Sequence, residues 1–286
     1  MRTILGVLGA SRPISWVNTA FPFGAAYLVT GGSLDAVFWV GVLFFLIPYN
    51  IAMYGINDVF DYESDIRNPR KGGVEGAVLS KDLHPALLWA SAVTVVPFAA
   101  YLYAVGTWAS AAWLTVSLFA VVAYSAAGLR FKERPFLDSI TSSTHFVTPA
   151  LVGAAMAPGV TTAYFWIAVA SFFLWGVASH ALGAVQDIRA DREGGLASIA
   201  TVLGARATSR LSAVLYAVAA ALLLLLPPPS WVVALAAAPY ALNAGRFWFI
   251  DDARCEEAHK GWTVFLWLNF LAGAVVSITL LWVWVA

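Results

Sequence analysis

The sequence predicts an all-α, polytopic membrane protein built as a bundle of nine transmembrane helices. Three observations predict it. Of 286 residues, 61% are hydrophobic and only 11% are charged, whereas a soluble domain carries about 25% charge. The apolar residues come in runs of roughly 20, the length an α-helix needs to cross the hydrocarbon core. The 16 Lys and Arg residues all fall on one side of the membrane when the spans are counted as nine.

The runs and loops alternate in order. The first span is 14–29, preceded by Arg2 and Arg12. The turn around Gly31-Gly32-Ser33 carries no Lys or Arg and leads to the second span, 36–54. Arg67, Arg70, Lys71 and Lys81 fill the long loop before the third span, 85–105. Gly106-Thr107 turns the chain into the fourth, 109–127, and Arg130, Lys132 and Arg134 separate that from the fifth, 136–155. Pro158-Gly159 leads to the sixth, 164–185, and Arg189, Arg192, Arg206 and Arg210 precede the seventh, 211–226. Pro227-Pro228-Pro229-Ser230 opens the eighth, 231–250, and Arg246, Arg254 and Lys260 lie around the loop before the ninth, 262–285. With a cytoplasmic N-terminus every cation is on one side, as the positive-inside rule requires. An eight- or ten-helix count breaks the pattern. The expectation is a multi-pass plasma-membrane protein, one domain over 1–286, with its N-terminus and long loops in the cytoplasm.

Several classes are excluded. The apolar segment 4–10 is too short for a signal h-region and runs into Arg12-Pro13, which suggests an interfacial helix. Cys255 is the only cysteine, so no internal disulfide or cysteine-held metal is expected. Lying between Arg254 and Lys260, it is expected to react with thiol reagents from the cytoplasmic side. There is no Walker A string, no G-x-S-x-G and no H-E-x-x-H. The basic residues track the membrane surface and form no groove for nucleic acid.

Two acidic clusters carry the chemistry. The first is Asn57-Asp58-x-x-Asp61-x-x-x-Asp65, after the second span. The second is Asp187-x-x-x-Asp191, after the sixth. Carboxylates three or four residues apart share one face of a helix. Hard oxygen ligands of this kind suit Mg²⁺, which takes one or two carboxylates together with substrate phosphates. The pair points to a Mg²⁺-diphosphate site and to prenyl transfer. Asn50, Tyr54, Asn57 or Asp58, Asp61 and Asp65 recur at three- or four-residue steps as one polar stripe, and His180, Ala184, Asp187 and Asp191 repeat the pattern on the sixth span. Both read as walls of a central cavity, with the acid-bearing helix ends facing each other. Arg67, Arg70 and Lys71 serve as topological anchors, as contacts to the leaving diphosphate, or as both. His145 and His180 read as satisfied buried histidines. The run Thr141-Ser142-Ser143-Thr144 lines the cavity or hydrogen-bonds between helices.

These residues resemble the paired signature of the UbiA superfamily of intramembrane prenyltransferases. Ser11-Arg12-Pro13 and Asn68-Pro69-Arg70-Lys71 are similar to further landmarks of that family. The resemblance implies a central lipid-facing cavity in which two Mg²⁺ ions join a prenyl diphosphate to the Asp motifs. Metal ligation falls to Asn57, Asp58, Asp61, Asp65, Asp187 and Asp191, with Asp58, Asp61, Asp187 and Asp191 as catalytic acids. Arg12, Asn18, Asn57, Arg67, Lys71 and Lys132 are the expected substrate contacts. A lipophilic acceptor enters from the bilayer lipid. Glu63 and Asp65 are candidate proton acceptors, neither assigned. Many members with aromatic acceptors carry Tyr-x-x-x-Lys after the fourth span, whereas here Tyr124 is followed by Gly128. Within the superfamily, the strings 11–20 and 54–63 are most similar to lycopene elongases, which implies a dimethylallyl donor and lycopene as acceptor. Quinone-precursor, glycerol ether lipid and chlorophyllide transferases are the alternatives, and a transporter with acidic gates is the alternative of another class.

Overall fold

A computed structural model describes residues 2–66 and 80–285. Their regular structure is helical, with no strand among the described residues. The helices are α1 (Arg2–Ala10), α2 (Val17–Val29), α3 (Ala36–Leu46), α4 (Pro48–Phe60), α5 (Tyr62–Asp65), α6 (His84–Val105) and α7 (Trp108–Ser125). They continue with α8 (Leu137–Met156), α9 (Ala163–Val185), α10 (Ile188–Glu193), α11 (Ile199–Leu223), α12 (Trp231–Gly245) and α13 (His259–Val285). Each of the nine predicted spans has a helical counterpart. Among the described residues, six helical stretches are by themselves long and apolar enough to cross a membrane. At 13 and 15 residues, α2 and α12 are shorter, and α8 carries the polar run from Asp138 to His145.

Several boundaries differ from the apolar runs. The second span is two helices, because Pro48 has no N–H to continue α3 and instead starts α4 at its first position. The restart carries α4 on to Phe60, past the predicted end at 54, so the acidic cluster lies in and just after its last turn. The seventh run begins earlier, at Ile199, and is interrupted at Gly204. The eighth ends at Gly245, and the ninth starts at His259.

The chain forms two compact units, 1–131 with 145–160, and 132–144 with 161–286. The first is centred on aromatic rings: Phe23 and Phe45 lie 5.3 Å apart, Phe44 and Phe45 4.8 Å, and Phe45 and Tyr49 5.1 Å. Gly41 lets α3 approach α2, since a Cβ there would collide with the Phe23 ring. In hydrocarbon an unpaired carbonyl costs several kcal/mol, so the break at Pro48 needs donors from elsewhere. Asn50 supplies them: its Nδ2 donates to Phe45 O at 2.8 Å and Leu46 O at 3.1 Å, and lies 2.8 Å from Thr19 Oγ1. Thr19 Oγ1 itself donates to Phe45 O at 2.6 Å. Asn50 is fully buried, so it closes a helix break and does not line a cavity. A second polar chain joins α8, α7 and α4, with Thr148 Oγ1 donating to Ser117 Oγ at 2.8 Å and Ser117 Oγ to the Tyr49 hydroxyl at 3.0 Å.

The second unit packs small residues where α9 meets α11, including Ala178, Ala205, Ala213 and Ala219, which permits close helix approach in a membrane. Tyr216 and Tyr240 fill its centre. Their hydroxyls donate to Ser179 Oγ at 2.9 Å and Asn269 Oδ1 at 2.7 Å. Cys255 is completely buried here beside Ile250 and Ala258. That corrects the expectation of a reactive thiol: the short helical turn Asp252–Ala258 points this side chain inward, while the neighbouring Ala253 is exposed.

Candidate active site

The first acidic cluster is built by the end of α4. One helical turn sets Asp58 and Asp61 on the same side, and both are only 5% exposed. Two charges so placed need compensation. Arg12 contributes to it, with Nη2 3.1 Å from Asp58 Oδ1 and its guanidinium 4.3 Å above the Tyr54 ring. Arg12 reaches that position from a left-handed backbone conformation at φ 51°, where α1 ends and the turn Pro13–Ser15 begins. Asn57 holds the other acid: its Nδ2 donates to Asp61 Oδ2 at 2.7 Å and to Ser125 Oγ at 2.8 Å, tying α4 to the end of α7. Beyond the cluster, Lys81 pairs with Glu63 at 2.6 Å over the Tyr62 ring. That carboxylate raises the Lys81 pKa above its ordinary value.

The second cluster starts where α9 ends. Asp187 occupies the N-cap position of α10, and Asp191, one turn on, lies in its first turn. Both are half-buried. The helix stops at Gly194-Gly195, where Gly195 adopts φ 69° and Leu196 N donates to Asp191 O at 2.8 Å. The arginines of α10 bond to acids from the loop before α13: Arg192 Nη1 to Asp252 Oδ2 at 2.7 Å, and Arg189 to Glu256 at 3.4 Å. Asp252 also closes the interruption in α11. Gly204 takes φ 79°, which favours glycine, and the helix restarts at Ala205, whose N–H donates to Asp252 Oδ1 at 2.7 Å. The Ala205 N–H, followed by Arg192, holds the Asp252 carboxyl below its ordinary 3.8 against the opposing effect of burial.

Other predicted residues fall outside these groupings. Asn18 is exposed on α2 and makes no hydrogen bond among the described residues; its neighbour Thr19 is the buried one. Lys132 sits in the short turn Phe131–Glu133. Arg67, Arg70 and Lys71 lie outside the described residues, as does the side chain of Asp65. His145 is buried edge-on to the Tyr124 ring at 5.4 Å, and His180 Nδ1 is 3.0 Å from Ser139 Oγ. Ser143 donates to Phe173 O at 2.8 Å and Thr144 to Ile140 O at 2.8 Å, so these two hydroxyls serve the helices themselves.

Sequence reasoning missed Ser125, Asp138 and Asp252. Asp138 is fully buried and accepts the N–H of Ile199 at 2.7 Å, capping α11 from the start of α8. A lone acid opening an apolar run was the available signal for it.

The donor set fits Mg²⁺. Among the described residues no three His, Cys, Asp or Glu side chains converge, but Mg²⁺ takes only one or two protein carboxylates and fills its octahedron with water and phosphate oxygens. Asp58 with Asp61, and Asp187 with Asp191, each provide such a pair at a helix end.

The UbiA prenyltransferase family profile matches residues 19–271. The chain is 62% identical over 281 residues to a lycopene elongase/hydratase of Corynebacterium glutamicum, covering 98% of each protein. It is 37% identical over 208 residues to a lycopene elongase/hydratase of Haloarcula japonica, covering 71% of this chain and 68% of that one. In fold it is similar to a UbiA homolog from Archaeoglobus fulgidus bound to DMAPP and Mg²⁺, with a TM-score of 0.66, 18% identity, and coverage of 96% of this chain and 99% of the other. With two acidic motifs at the ends of apolar helices in an all-helical membrane fold, the chain is a prenyltransferase and belongs to the UbiA prenyltransferase family.

Proposed function

We propose that the enzyme transfers a dimethylallyl group from its diphosphate to the end of lycopene, on the route to C50 carotenoids, with Mg²⁺ as cofactor. The observation that carries this reading is the 62% identity, across 98% of both chains, to a protein named lycopene elongase/hydratase. Family membership removes the transporter alternative. The missing lysine at position 128 agrees with an acceptor that has no phenol or carboxylate to recognise.

Asp58, Asp61, Asp187 and Asp191 are the proposed metal-binding acids, with Asn57 and Asp65 completing the first motif. Mg²⁺, when bound, neutralises the diphosphate and so eases its departure. Asn57 fixes the Asp61 carboxylate through its two hydrogen bonds. Arg12 places a permanent positive charge beside Asp58, within the region that must receive an anion. Arg67, Lys71 and Lys132 supply further charge-assisted contacts to the leaving diphosphate. As the carbon–oxygen bond breaks, an allylic cation forms among apolar side chains where water is scarce. The terminal double bond of the acceptor attacks it, forming the new carbon–carbon bond. Loss of a proton, or addition of water, completes the product. The acceptor needs positioning more than acid–base assistance.

Expression in a lycopene-accumulating host, followed by mass spectrometry of extracted pigments, tests the proposal. C45 and C50 products are expected. An unchanged lycopene mass, with the same membranes prenylating a quinone precursor, a glycerol ether lipid or chlorophyllide, would refute the acceptor and leave the transferase standing.

We further propose that the protein sits in the plasma membrane with its N-terminus and acid-bearing loops in the cytoplasm. In a Cys255→Ala background, Ala253→Cys is expected to label only from the cytoplasm and Val160→Cys, 88% exposed, only from outside. Labelling of both from one side defeats this orientation.

A further inference from the structure

The segment joining α12 to α13 connects two apolar helices and therefore lies at the membrane–water boundary. It borders an open pocket of about 330 Å³. Arg246, Arg254 and Lys260 line it with a single carboxylate, Glu257, giving three positive charges against one negative. All four side chains are exposed. Arg254 has Asp251 at 3.6 Å. Among the described residues neither Arg246 nor Lys260 has a carboxylate within 4.0 Å. With Asp251 beside Arg254, Arg246 and Lys260 share the pocket with Glu257 alone, which leaves a net positive charge for an anion from elsewhere.

The cavity is held open by its own frame. Asn243 Nδ2 donates to Gly261 O at 2.8 Å, bridging the end of α12 to the start of α13. Ile250, Cys255 and Ala258 are buried beneath the segment. Arg210, from α11, donates to Trp248 O at 3.0 Å and stacks 5.2 Å from the Trp248 ring and 5.8 Å from that of Phe249.

Exposed apolar side chains accompany the cations: Phe249, on the pocket lining, is 73% exposed, and so is Leu242, one helical turn before Arg246. A free phosphate has no use for these apolar side chains, whereas a lipid places acyl chains against them while its phosphate meets the cations. Aromatic rings at headgroup depth and basic pockets beside membrane helices are the two halves of that recognition.

We propose that this cavity binds the headgroup of an anionic glycerophospholipid, with Arg246 and Lys260 as its principal phosphate contacts and Leu242 and Phe249 against the chains. The test is native mass spectrometry of the full-length protein released from micelles containing equal phosphatidylglycerol and phosphatidylcholine. Preferential retention of phosphatidylglycerol is expected. The double variant Arg246→Gln/Lys260→Gln should weaken it about thirtyfold, counting each charge at its membrane-surface value. Arg189→Gln, which removes a cation outside the cavity, should leave it intact. Glu257→Gln should strengthen retention, and decides the matter if the double variant does not fold. Equal retention of the two lipids overturns the proposal, as does a loss of the same size in Arg189→Gln or unaltered retention in Glu257→Gln. Displacement by inorganic phosphate but not by chloride of equal ionic strength would identify a soluble-anion site and overturn it as well.

Discussion

The two acidic clusters share a spacing but are held by different means. In the first, the acids are buried and a cation from a distant part of the chain reaches Asp58: Arg12 lies 46 residues away in sequence. In the second, the acids are half-buried on a short helix whose own arginines bond to Asp252 and Glu256. The same motif chemistry therefore stands on two foundations. In the first an arginine pairs with an acid of the motif itself; beside the second, Arg189 and Arg192 tie the acid-bearing helix to Glu256 and Asp252.

If both clusters are metal-binding, removing an acid from either should have the largest effect. Asp61→Ala and Asp187→Ala should each lower turnover by about a thousandfold, or ~4 kcal/mol of barrier, with membrane insertion unchanged. Turnover above about a tenth of wild type in both variants would reduce the acids to ordinary surface charges.

Arg12→Gln should separate the two foundations. It leaves the buried Asp58 without its arginine, which costs about 3 kcal/mol of stability, measured as the thermal unfolding midpoint in EDTA. Mg²⁺ should recover most of that loss, because a bound cation replaces the missing charge. Arg192→Gln should also destabilise, yet show no greater Mg²⁺ response than wild type. A Mg²⁺-independent deficit in Arg12→Gln would mean that Arg12 and the metal do not answer the same charge.

A smaller effect tests the mechanical tie. Asp252→Asn should cost about 1 kcal/mol, in the range for a helix cap. Because the folded pKa of Asp252 is depressed, the stability it contributes is present above its unfolded value of 3.8. That contribution is lost as the pH falls through the lower folded value. Acid unfolding of wild type below about pH 4 should therefore include a component missing from Asp252→Asn; superimposable pH curves would deny the carboxylate this role. Smallest of all, Ser125→Ala should reduce turnover a few-fold, the worth of one hydrogen bond, without altering the unfolding midpoint by more than a degree or two. An unchanged rate would make the Asn57 tether dispensable.

Where a function can be seen in the sequence depends on how far its partners lie along the chain. Asn57, Asp58 and Asp61 are legible because a single helical turn joins them, and the apolar runs announce the membrane fold by composition alone. Arg12 is visible only through resemblance. Asp138 and Asp252 are not legible in the sequence, since the N–H groups they accept, on Ile199 and Ala205, are 61 and 47 residues distant. Asn50 departs from the expected cavity wall because a polar side chain in an apolar run looks the same whether it faces a cavity or repairs a broken helix. The charges around Cys255 predict exposure, while its burial depends on a short helical turn that hydropathy does not register.

The interruption at Pro48 has a consequence for the acids ten residues further on. An α-helix advances by about 100° and 1.5 Å with each residue, so an unbroken helix from Ala36 would fix the azimuth of Asp58 from the far end of the span. Restarting at Pro48 resets that phase. The direction in which the carboxylates point, and their depth below the surface, are then set locally by one proline and by the Asn50 and Thr19 side chains that make its position tolerable. Shifting the proline by a single residue would leave every acid in the motif and turn the whole set toward a different neighbour.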